Sequence, residues 1–294
     1  MDAVIGQIFI GLSIGSILLL AALGLSLTFG QMGVINMAHG EIMTAGTYTA
    51  YVVQQLISNT VVSLIVSLAV GFVVGAALGG ILEVVLIRRM YHRPLDTLLV
   101  TFGVGLVLQQ LFRQIFGAPA VNVVPPDWLV GGIAVFGTTV PKARLFILVL
   151  AIAAVGTLIG VLHHTGWGRR IRAVIGDRDL AEASGISSRT TDVATFMRGS
   201  ALAGIAGVAL TLIGPAGPTV GQGYIVDAFL VVVLGGLGHV KGAVLAAGLL
   251  GLLESFIEYS TTASTAKVVV FVIVIGLLQI RPQGLLTTTS RSLA

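Results

Sequence analysis

Long apolar runs, each near the length that crosses a lipid bilayer, constrain the fold of this chain more than any other feature. A helix needs about 20 mainly apolar residues to span the hydrocarbon core, because each residue adds about 1.5 Å along the axis. On this rule the sequence predicts spans near residues 5–29, 41–57, 61–87, 95–116, 144–163, 193–214, 224–239, 241–258 and 264–280. The predicted fold is all-α, a polytopic transmembrane helical bundle of about eight or nine spans that forms one domain over 1–294.

Two segments interrupt this pattern and predict broken or re-entrant helices. Residues 224–239 are short for a span and polar at both ends, which indicates a half-helix. The stretch 30–41, GQMGVINMAHGE, places glycines, an amide, an imidazole and a carboxylate between two apolar runs. Lipid offers no partners to such groups, so they must face protein or water. Spacing alone leaves two interpretations open: a helix break that holds a polar solute, or a polar hairpin at the membrane interface.

The composition supports a membrane protein independently. Hydrophobic residues make up 56% of the chain and charged residues 10%, whereas a soluble domain carries about 25% charged residues. The isoelectric point near 9.8 does not indicate nucleic-acid binding, because the basic residues fall between spans, which is the membrane pattern. The chain has no cysteine, which excludes a disulfide framework and thiol chemistry.

Motifs of enzymatic chemistry are missing from the sequence. No stretch matches the phosphate-binding pattern G-x-x-x-x-G-K-[ST], so the chain does not supply its own ATPase. Its five histidines lack the spacing of metal ligands. No nucleophile lies in a recognisable arrangement with a base. The sequence therefore predicts a protein that is not an enzyme, with no catalytic residues, no metal and no cofactor in this chain.

The basic residues between the spans predict the orientation in the membrane. Segments 88–93, 164–192 and 281–294 carry most of the arginines, and all of them are cytoplasmic if the N-terminus lies outside. Segment 117–143 then lies on the external side. Its prolines and Trp128 suit a rigid loop at the membrane interface.

Polar residues in the interrupted stretch are candidates for a solute path. The amide of Asn36 and the neutral imidazole of His39 can both donate and accept hydrogen bonds, which suits a small polar solute. His39 could instead be a packing residue or a proton relay. Glu41 is assigned a structural role, because carboxylates stabilise the N-terminus of a helix.

Further path candidates lie in two other spans. Thr97 and Thr101 are four residues apart and share one helical face. A threonine in a membrane helix usually bonds its own backbone, so a structural role competes with a path role. Gln109 is an amide deep in a span and needs a partner, either another helix or the solute. Asp227, near the start of the half-helix, is a candidate for the path or for a helix cap.

Residues 164–192 form the longest hydrophilic connection. Asp179 is predicted to cap a short helix over 179–186, with Glu182 as its capping-box partner. Gly185 is predicted to end that helix in a left-handed turn. The helix would lie across the membrane surface and be available to a cytosolic partner. From the residues alone, contact of a basic loop with anionic lipid headgroups is the preferred interpretation.

Four stretches resemble the permease subunits of ABC importers for branched-chain amino acids and urea. They are FGQMGVINMAHGEIMTAGTYTAYVV at 29–53, RPLDTLLVTFGVGLVLQQLFRQIFG at 93–117, GQGYIVDAFLVVVLGGLGHVKGAVLAAGLLG at 221–251 and RPQGLL at 281–286. The second stretch resembles the urea branch most closely. The resemblance therefore implies an importer of urea, with branched-chain amino acids as the alternative.

The same resemblance implies how the chain would work. The stretch AEASGI at 181–186 matches the element that sits in a groove of the ATPase subunit, which assigns Glu182, Ala183, Ser184 and Gly185 to coupling. The implied partners are a second homologous permease subunit, two cytosolic ATPases that bind ATP and magnesium, and an extracytoplasmic binding protein, at the bacterial inner membrane.

Two observations bear on the choice of function. The candidates within the spans are mostly neutral, which favours urea, since an amino acid requires fixed charges or helix ends along its route. A stand-alone urea or amide channel is the rival from a different class. It would need no ATPase, and the 164–192 segment would be incidental to transport.

Overall fold

The computed structural model describes residues 2–91, 93–135 and 138–286, and most of them are helical. The helices are α1 (Asp2–Met32), α2 (His39–Leu56), α3 (Thr60–Val85), α4 (Pro94–Phe116), α5 (Lys142–His164), α6 (Gly166–Gly176), α7 (Arg178–Ala183), α8 (Ser188–Leu210), α9 (Gln222–Gly235), α10 (Val240–Ser260) and α11 (Ala263–Ile280). Single 3-10 turns lie at Ile87–Arg89 and Asp127–Leu129, and an antiparallel hairpin joins β1 (Gly132–Val135) to β2 (Thr138–Pro141). The predicted all-α bundle is confirmed.

Seven helices are long and apolar enough to cross a membrane, namely α1, α3, α4, α5, α8, α10 and α11. Helix α9 has 14 residues, so the predicted half-helix near 224–239 is confirmed. Helix α2 also has 18 residues, but it is not apolar enough along its length to count with these seven. The predicted spans therefore lie close to the observed helices, and the two elements that do not cross as ordinary spans flank the polar centre of the bundle.

Polar side chains at the start of several helices explain where they begin. The Asn59 carboxamide oxygen accepts hydrogen bonds from the Val61 and Val62 amides at the start of α3, at 3.0 and 3.1 Å. The Ser187 hydroxyl accepts from the Thr190 amide at the start of α8. The first amides of a helix have no intrahelical partner, so such caps stabilise the helix by about 1 kcal/mol.

Small residues let the central helices approach closely. Helix α8 lies against α1, α2 and α3, and its Gly204 packs against backbone of both Gly46 and Gly71. On the other side of α1, a Cβ at Gly15 would lie 2.6 Å from the Ala247 carbonyl oxygen of α10. Lipid gives helices no hydrophobic reason to associate, so close van der Waals packing through small residues stabilises the bundle.

The connections gather at two ends of the bundle. At one end, Arg88 pairs with Glu83, and Arg178 pairs with Asp192. The C-terminal segment lies at the same end. The Leu285 amide donates to the Leu234 carbonyl oxygen at the end of α9, 2.7 Å away, and Gly238, just after α9, packs against Gly30 near the end of α1.

The connection 117–143, which was predicted to be external, lies at the opposite end of the bundle. There the Gln54 side chain, near the end of α2, exchanges two 2.8 Å hydrogen bonds with the backbone of Val124. The predicted grouping of 88–93, 164–192 and 281–286 against 117–143 is confirmed for the described residues. His92, Phe136, Gly137 and residues 287–294 lie outside them. The assignment of the first group to the cytoplasm stays a prediction.

Single cysteines test that orientation in a chain that has none of its own. Ser184→Cys and Asn122→Cys both place a thiol on an exposed residue, at opposite ends of the bundle. A membrane-impermeant maleimide added to intact spheroplasts is expected to label Cys at 122 and to leave Cys at 184 unmodified until the membrane is opened. Labelling at 184 in intact cells means that the orientation is reversed.

The central glycine contacts predict a selective effect on stability. Gly204→Ala places a methyl group against the backbone of Gly71, and overpacking of this kind costs about 1–3 kcal/mol. We expect a lower melting temperature in detergent. Gly156→Ala in α5 is the matched control, because nothing lies within 4 Å of a Cβ at that position. Equal melting temperatures for the two variants contradict close packing at Gly204.

Candidate solute site and coupling region

Two helices begin inside the bundle rather than at its ends. Helix α1 ends at Met32, and Gly33 turns the chain with a φ of 63°, a conformation that glycine adopts without strain. The chain then runs back inward, so that His39 starts α2 with its Nε2 3.0 Å from the carbonyl oxygen of Ala21 in α1. Gly24, which His39 also approaches, packs against Gly199 at the middle of α8. The stretch 30–41 is therefore a helix break inside the bundle, not an interfacial hairpin.

Helix α9 begins beside the same point. The Gly221 amide donates to the Thr44 hydroxyl at 3.0 Å, and a Cβ at Gly40 would lie 2.7 Å from the Gly221 carbonyl oxygen. Only glycines at 40 and 221 allow these two segments of the backbone to approach this closely. The N-termini of α2 and α9 consequently lie side by side within the bundle.

Neither of these helix starts has a side-chain cap. Ala38 precedes α2 and Gly221 precedes α9, and neither supplies a side-chain hydrogen bond to the first turn. The first amides of a helix carry a partial positive charge, equivalent to about half an elementary charge. Two such N-termini within the bundle form a region that favours an anionic or strongly dipolar group.

A cavity of about 130 Å³ opens between α2, α4 and α9, next to the two helix starts. Its polar lining comes from Glu41 in the first turn of α2 and Gln222 at the start of α9. Its apolar lining consists of Met37, Phe102, Gly105, Leu106, Ile225 and Val226. Glu41 is buried, and its Oε2 has no hydrogen-bond partner among the described residues. The cavity thus combines one carboxylate, one amide and an apolar wall.

The predicted path residues of the break lie next to this cavity but not on its surface. Asn36 is 1% exposed, and neither atom of its amide has a partner among the described residues. His39 is fully buried; its Nε2 bonds the Ala21 carbonyl oxygen, and its Nδ1 has no such partner. Their role in a solute path stays a prediction.

The two threonines of α4 make the backbone bonds that the structural alternative predicted. Thr97 donates to the Pro94 carbonyl oxygen at 2.8 Å, and Thr101 donates to that of Thr97 at 2.7 Å. Thr101 also accepts a 3.0 Å hydrogen bond from the Met37 amide. It therefore holds the inward-running chain of the break against α4, since that amide has no helical partner.

Gln109 and Asp227 find partners on other helices. The Gln109 Nε2 donates to the Gln222 Oε1 at 3.1 Å, so this amide lies close to the start of α9 and not beside Asn36. Asp227 pairs with Lys267 of α11 at 2.7 Å. Asp227 is the sixth residue of α9, so the suggestion that it caps this helix is wrong.

Several cavity residues were not singled out by the sequence. Gln222, Met37 and Phe102 line the cavity, and Glu41 was given only a structural role. Their positions depend on the meeting of α2, α4 and α9, which are far apart in sequence. The one usable signal was the carboxylate of Glu41 itself, placed beside a predicted break.

The hydrophilic connection 164–192 folds into two short helices. The amphipathic helix α6 precedes α7, and α6 was not predicted. The Asp177 side chain accepts a 2.9 Å hydrogen bond from the Leu180 amide and caps α7. The prediction that Asp179 caps this helix is therefore wrong by two residues, and the helix runs over Arg178–Ala183 rather than 179–186.

The end of α7 matches the prediction better. Gly185 has a φ of 80°, which confirms the left-handed turn after the helix. Glu182 does not form a capping box, because its carboxylate accepts from the Ser188 hydroxyl at the start of α8. Ala183 and Ser184 are exposed, as is Leu180, so this face of α7 is open to a partner.

A buried polar cluster joins α7 to the transmembrane helices. Arg178, the first residue of α7, pairs with the fully buried carboxylate of Asp192 in α8. The second oxygen of Asp192 accepts a 2.6 Å hydrogen bond from Gln31, near the end of α1. The Thr195 hydroxyl donates to the Gln31 oxygen at 2.5 Å. These contacts connect α7, α8 and the part of α1 that leads into the break.

A second group of side chains extends the cluster to α3. The buried Glu83 accepts from the Tyr91 hydroxyl at 2.6 Å and pairs with Arg88 at 3.2 Å. Burial and the bond to Glu83 raise the pKa of Tyr91 above its usual range, so the phenol stays protonated and donates. The Arg178 guanidinium lies 5.3 Å from the centre of the Tyr91 ring. Arg178 thus contacts both groups.

Comparisons with known proteins agree with this architecture. The family model for the permease component of branched-chain amino acid transport systems matches residues 7–278. The chain is 28% identical to the high-affinity branched-chain amino acid permease protein LivH of Salmonella typhimurium, over 95% of this chain and 94% of that protein. It is 29% identical to the corresponding protein BraD of Pseudomonas aeruginosa, over the same shares. No solved structure matches.

These relatives confirm part of the functional prediction and correct another part. A permease subunit of an ABC importer is confirmed, with ATPase and binding-protein partners in general, and an enzyme is excluded. The preference for urea is not supported, because the full-length relatives are permeases for branched-chain amino acids. With seven helices long and apolar enough to cross a membrane among its described residues, and a family match over most of its length, the chain belongs to the permease-component family of branched-chain amino acid transport systems and is a multi-pass inner-membrane protein.

Proposed function

We propose that this permease carries branched-chain amino acids through the cavity between α2, α4 and α9. The observation that supports this substrate best is the buried Glu41 carboxylate, which faces an otherwise mostly apolar cavity and lacks a partner on one oxygen. A buried charge without a partner is costly, and a substrate ammonium group would supply that partner. The names of the full-length relatives support the same substrate class.

Each part of a branched-chain amino acid has a complementary group in the cavity. The ammonium group would lie on Glu41, and the carboxylate would face the uncapped N-termini of α2 and α9. The branched side chain would contact Phe102, Leu106 and Ile225. The cavity, at about 130 Å³, is smaller than the roughly 300 Å³ of a typical ligand site. Alternating access would therefore have to widen it.

Urea is the second candidate, and one observation favours it. Gln109 and Gln222 place two neutral amides at the edge of the cavity. Amides donate and accept, so they suit a neutral solute without requiring charge. Urea gives no reason for the unpartnered Glu41 carboxylate, and for that reason it ranks second.

The ATPases would supply the energy for transport, and α7 would transmit their movement to the membrane helices. The exposed end of α7 would sit on an ATPase subunit, and Arg178 would pass its displacement through Asp192 to Gln31. Since Gln31 lies just before the break at Gly33, a shift at α7 would reach the segment that positions α2. A second permease subunit, two ATPases that bind ATP and magnesium, and an extracytoplasmic binding protein would complete the importer.

Glu41→Gln tests the substrate. Removing the charge takes away a charge-assisted contact worth about 1.5–3 kcal/mol, which lowers leucine uptake roughly 10- to 150-fold if the loss falls on the rate-limiting step. Uptake of labelled leucine and labelled urea is measured at matched membrane abundance. Glu258→Gln, an exposed carboxylate at the end of α10, is the control and is expected to transport normally.

The outcome separates the two candidates. Normal leucine uptake by an assembled Glu41→Gln complex contradicts an ammonium site. Uptake of urea, unchanged by the substitution, together with no leucine uptake in the parent protein, identifies urea as the solute.

Arg178→Gln tests the route from the ATPases. The substitution leaves Asp192 buried without its cation, so transport per ATP hydrolysed is expected to fall 5- to 150-fold, the range of about 1–3 kcal/mol typical of coupled sites. Arg178→Lys should restore part of the loss. Arg189→Gln, an exposed arginine at the start of α8, is the matched control. ATP-independent uptake by the parent protein supports the stand-alone channel instead.

A further inference from the structure

A second cavity lies on the outside of the bundle, away from the proposed solute site. It is a groove of about 350 Å³ between α3, α5 and α8. Its walls are mainly apolar, from Phe72, Leu150, Ala153, Ala154, Thr157, Leu158, Val161, Leu202 and Ile205, and Trp167 and Arg198 close one end. An apolar groove along membrane-spanning helices has the shape and chemistry of an acyl-chain site.

The cation at the end of the groove is positioned toward one membrane face. Arg198 lies near the middle of α8, but its guanidinium donates to the Ala194 carbonyl oxygen at 3.1 Å, one turn nearer the start of the helix. It lies 4.2 Å from the centre of the Trp167 ring. Trp167 belongs to α6, which follows directly after the end of α5. The charged end of the groove is therefore on the side of the bundle that carries the basic segments.

Two donors at this end of the groove, the Arg198 guanidinium and the Trp167 Nε1–H, lack an anionic or acceptor partner among the described residues. Arg198 has no carboxylate within ion-pair distance among the described residues. The Trp167 Nε1–H is buried and likewise has no hydrogen-bond acceptor among those residues. An arginine and an indole donor side by side suit an oxyanion, since guanidinium–phosphate bonds are charge-assisted. Tryptophan is enriched at the level of lipid headgroups, and a long arginine side chain can extend its charged end toward that level.

We propose that the groove binds an anionic phospholipid of the leaflet on that side. The headgroup phosphate accepts from Arg198 and from the Trp167 Nε1–H, and one acyl chain lies along Leu158, Ala154 and Leu150. Basic pockets between membrane helices on the cytoplasmic face bind anionic headgroups by the same chemistry. The site does not depend on which solute is transported.

The chain offers a direct optical test, because it contains two tryptophans. Trp128 lies in the connection at the opposite end, so Trp128→Phe leaves Trp167 as the sole emitter and keeps an aromatic ring against Phe146. The full-length Trp128→Phe protein is placed in two matched sets of mixed vesicles, one with brominated phosphatidylglycerol in unbrominated phosphatidylcholine and one with brominated phosphatidylcholine in unbrominated phosphatidylglycerol. Quenching of Trp167 gives the binding preference for the anionic lipid over the zwitterionic lipid.

We expect a preference of about fivefold for the anionic lipid, the size of one arginine near a charged headgroup. Arg198→Gln in the same background should reduce it to about one, and Arg198→Lys should keep most of it. Arg170→Gln, an exposed arginine of α6 that does not line the groove, should leave it unchanged. Comparison of two lipids within each variant removes any direct effect of the substitution on Trp167 emission.

Three results would overturn the proposal. Equal quenching by both lipids in the parent background means that Arg198 does not select a headgroup. A preference that survives Arg198→Gln places the anionic site elsewhere. Absence of quenching by either lipid means that protein, such as a second permease subunit, covers the groove.

Discussion

The backbone of a membrane protein must find its hydrogen-bond partners within the protein, and this chain nevertheless breaks two helices inside its bundle. Each break is supported where the backbone would lack a partner. The Met37 amide bonds Thr101, and the Gly221 amide bonds Thr44. The first contact holds the chain before α2 against α4, and the second holds the chain before α9 against α2. The break does not expose unpaired backbone to lipid, since protein surrounds it, and so it can present helix N-termini to a cavity.

Buried charges also have their partners within the protein, at the end of the bundle that carries the basic segments. Asp192 and Glu83 are fully buried, which is tolerated because each carboxylate has an arginine and a neutral donor within hydrogen-bond reach. Removing one member of such a group leaves the others buried without a hydrogen-bond or ion-pair partner. The cluster therefore responds to a substitution as a unit rather than as separate pairs. A unit that joins α7 to α1, α3 and α8 physically links a surface helix to the break, because Gln31 lies in the last turn of α1, just before Gly33. Separate surface ion pairs would be too weak for that role.

The sequence predicted the parts of this structure that depend on local pattern. Apolar length predicted the helices, including the short α9, and Gly185 marked the end of α7 because its left-handed conformation is a local property. The cap was misplaced from Asp177 to Asp179, since several acidic residues close together fit the same motif. The cavity could not be predicted. Gln222 and Phe102 meet only after α4 and α9 have packed beside α2, and no periodicity in either segment reports that contact.

Helix α8 connects the separate functions proposed for this chain, because each of its faces has a different chemistry. One face carries Asp192 and Thr195 toward the end of α1, and a second carries Gly204 and Gly207 against α2 and α3. The outward face carries Arg198 beside the groove. At these glycines the backbone of α8 meets the backbone of α2 and α3 directly, so close van der Waals contact holds the three helices together. In the proposed mechanism, a displacement that enters through Arg178 would move the end of α1 that leads into the break while the small-residue contacts keep the helices together, and a lipid held by Arg198 would contact the same helix from the outside.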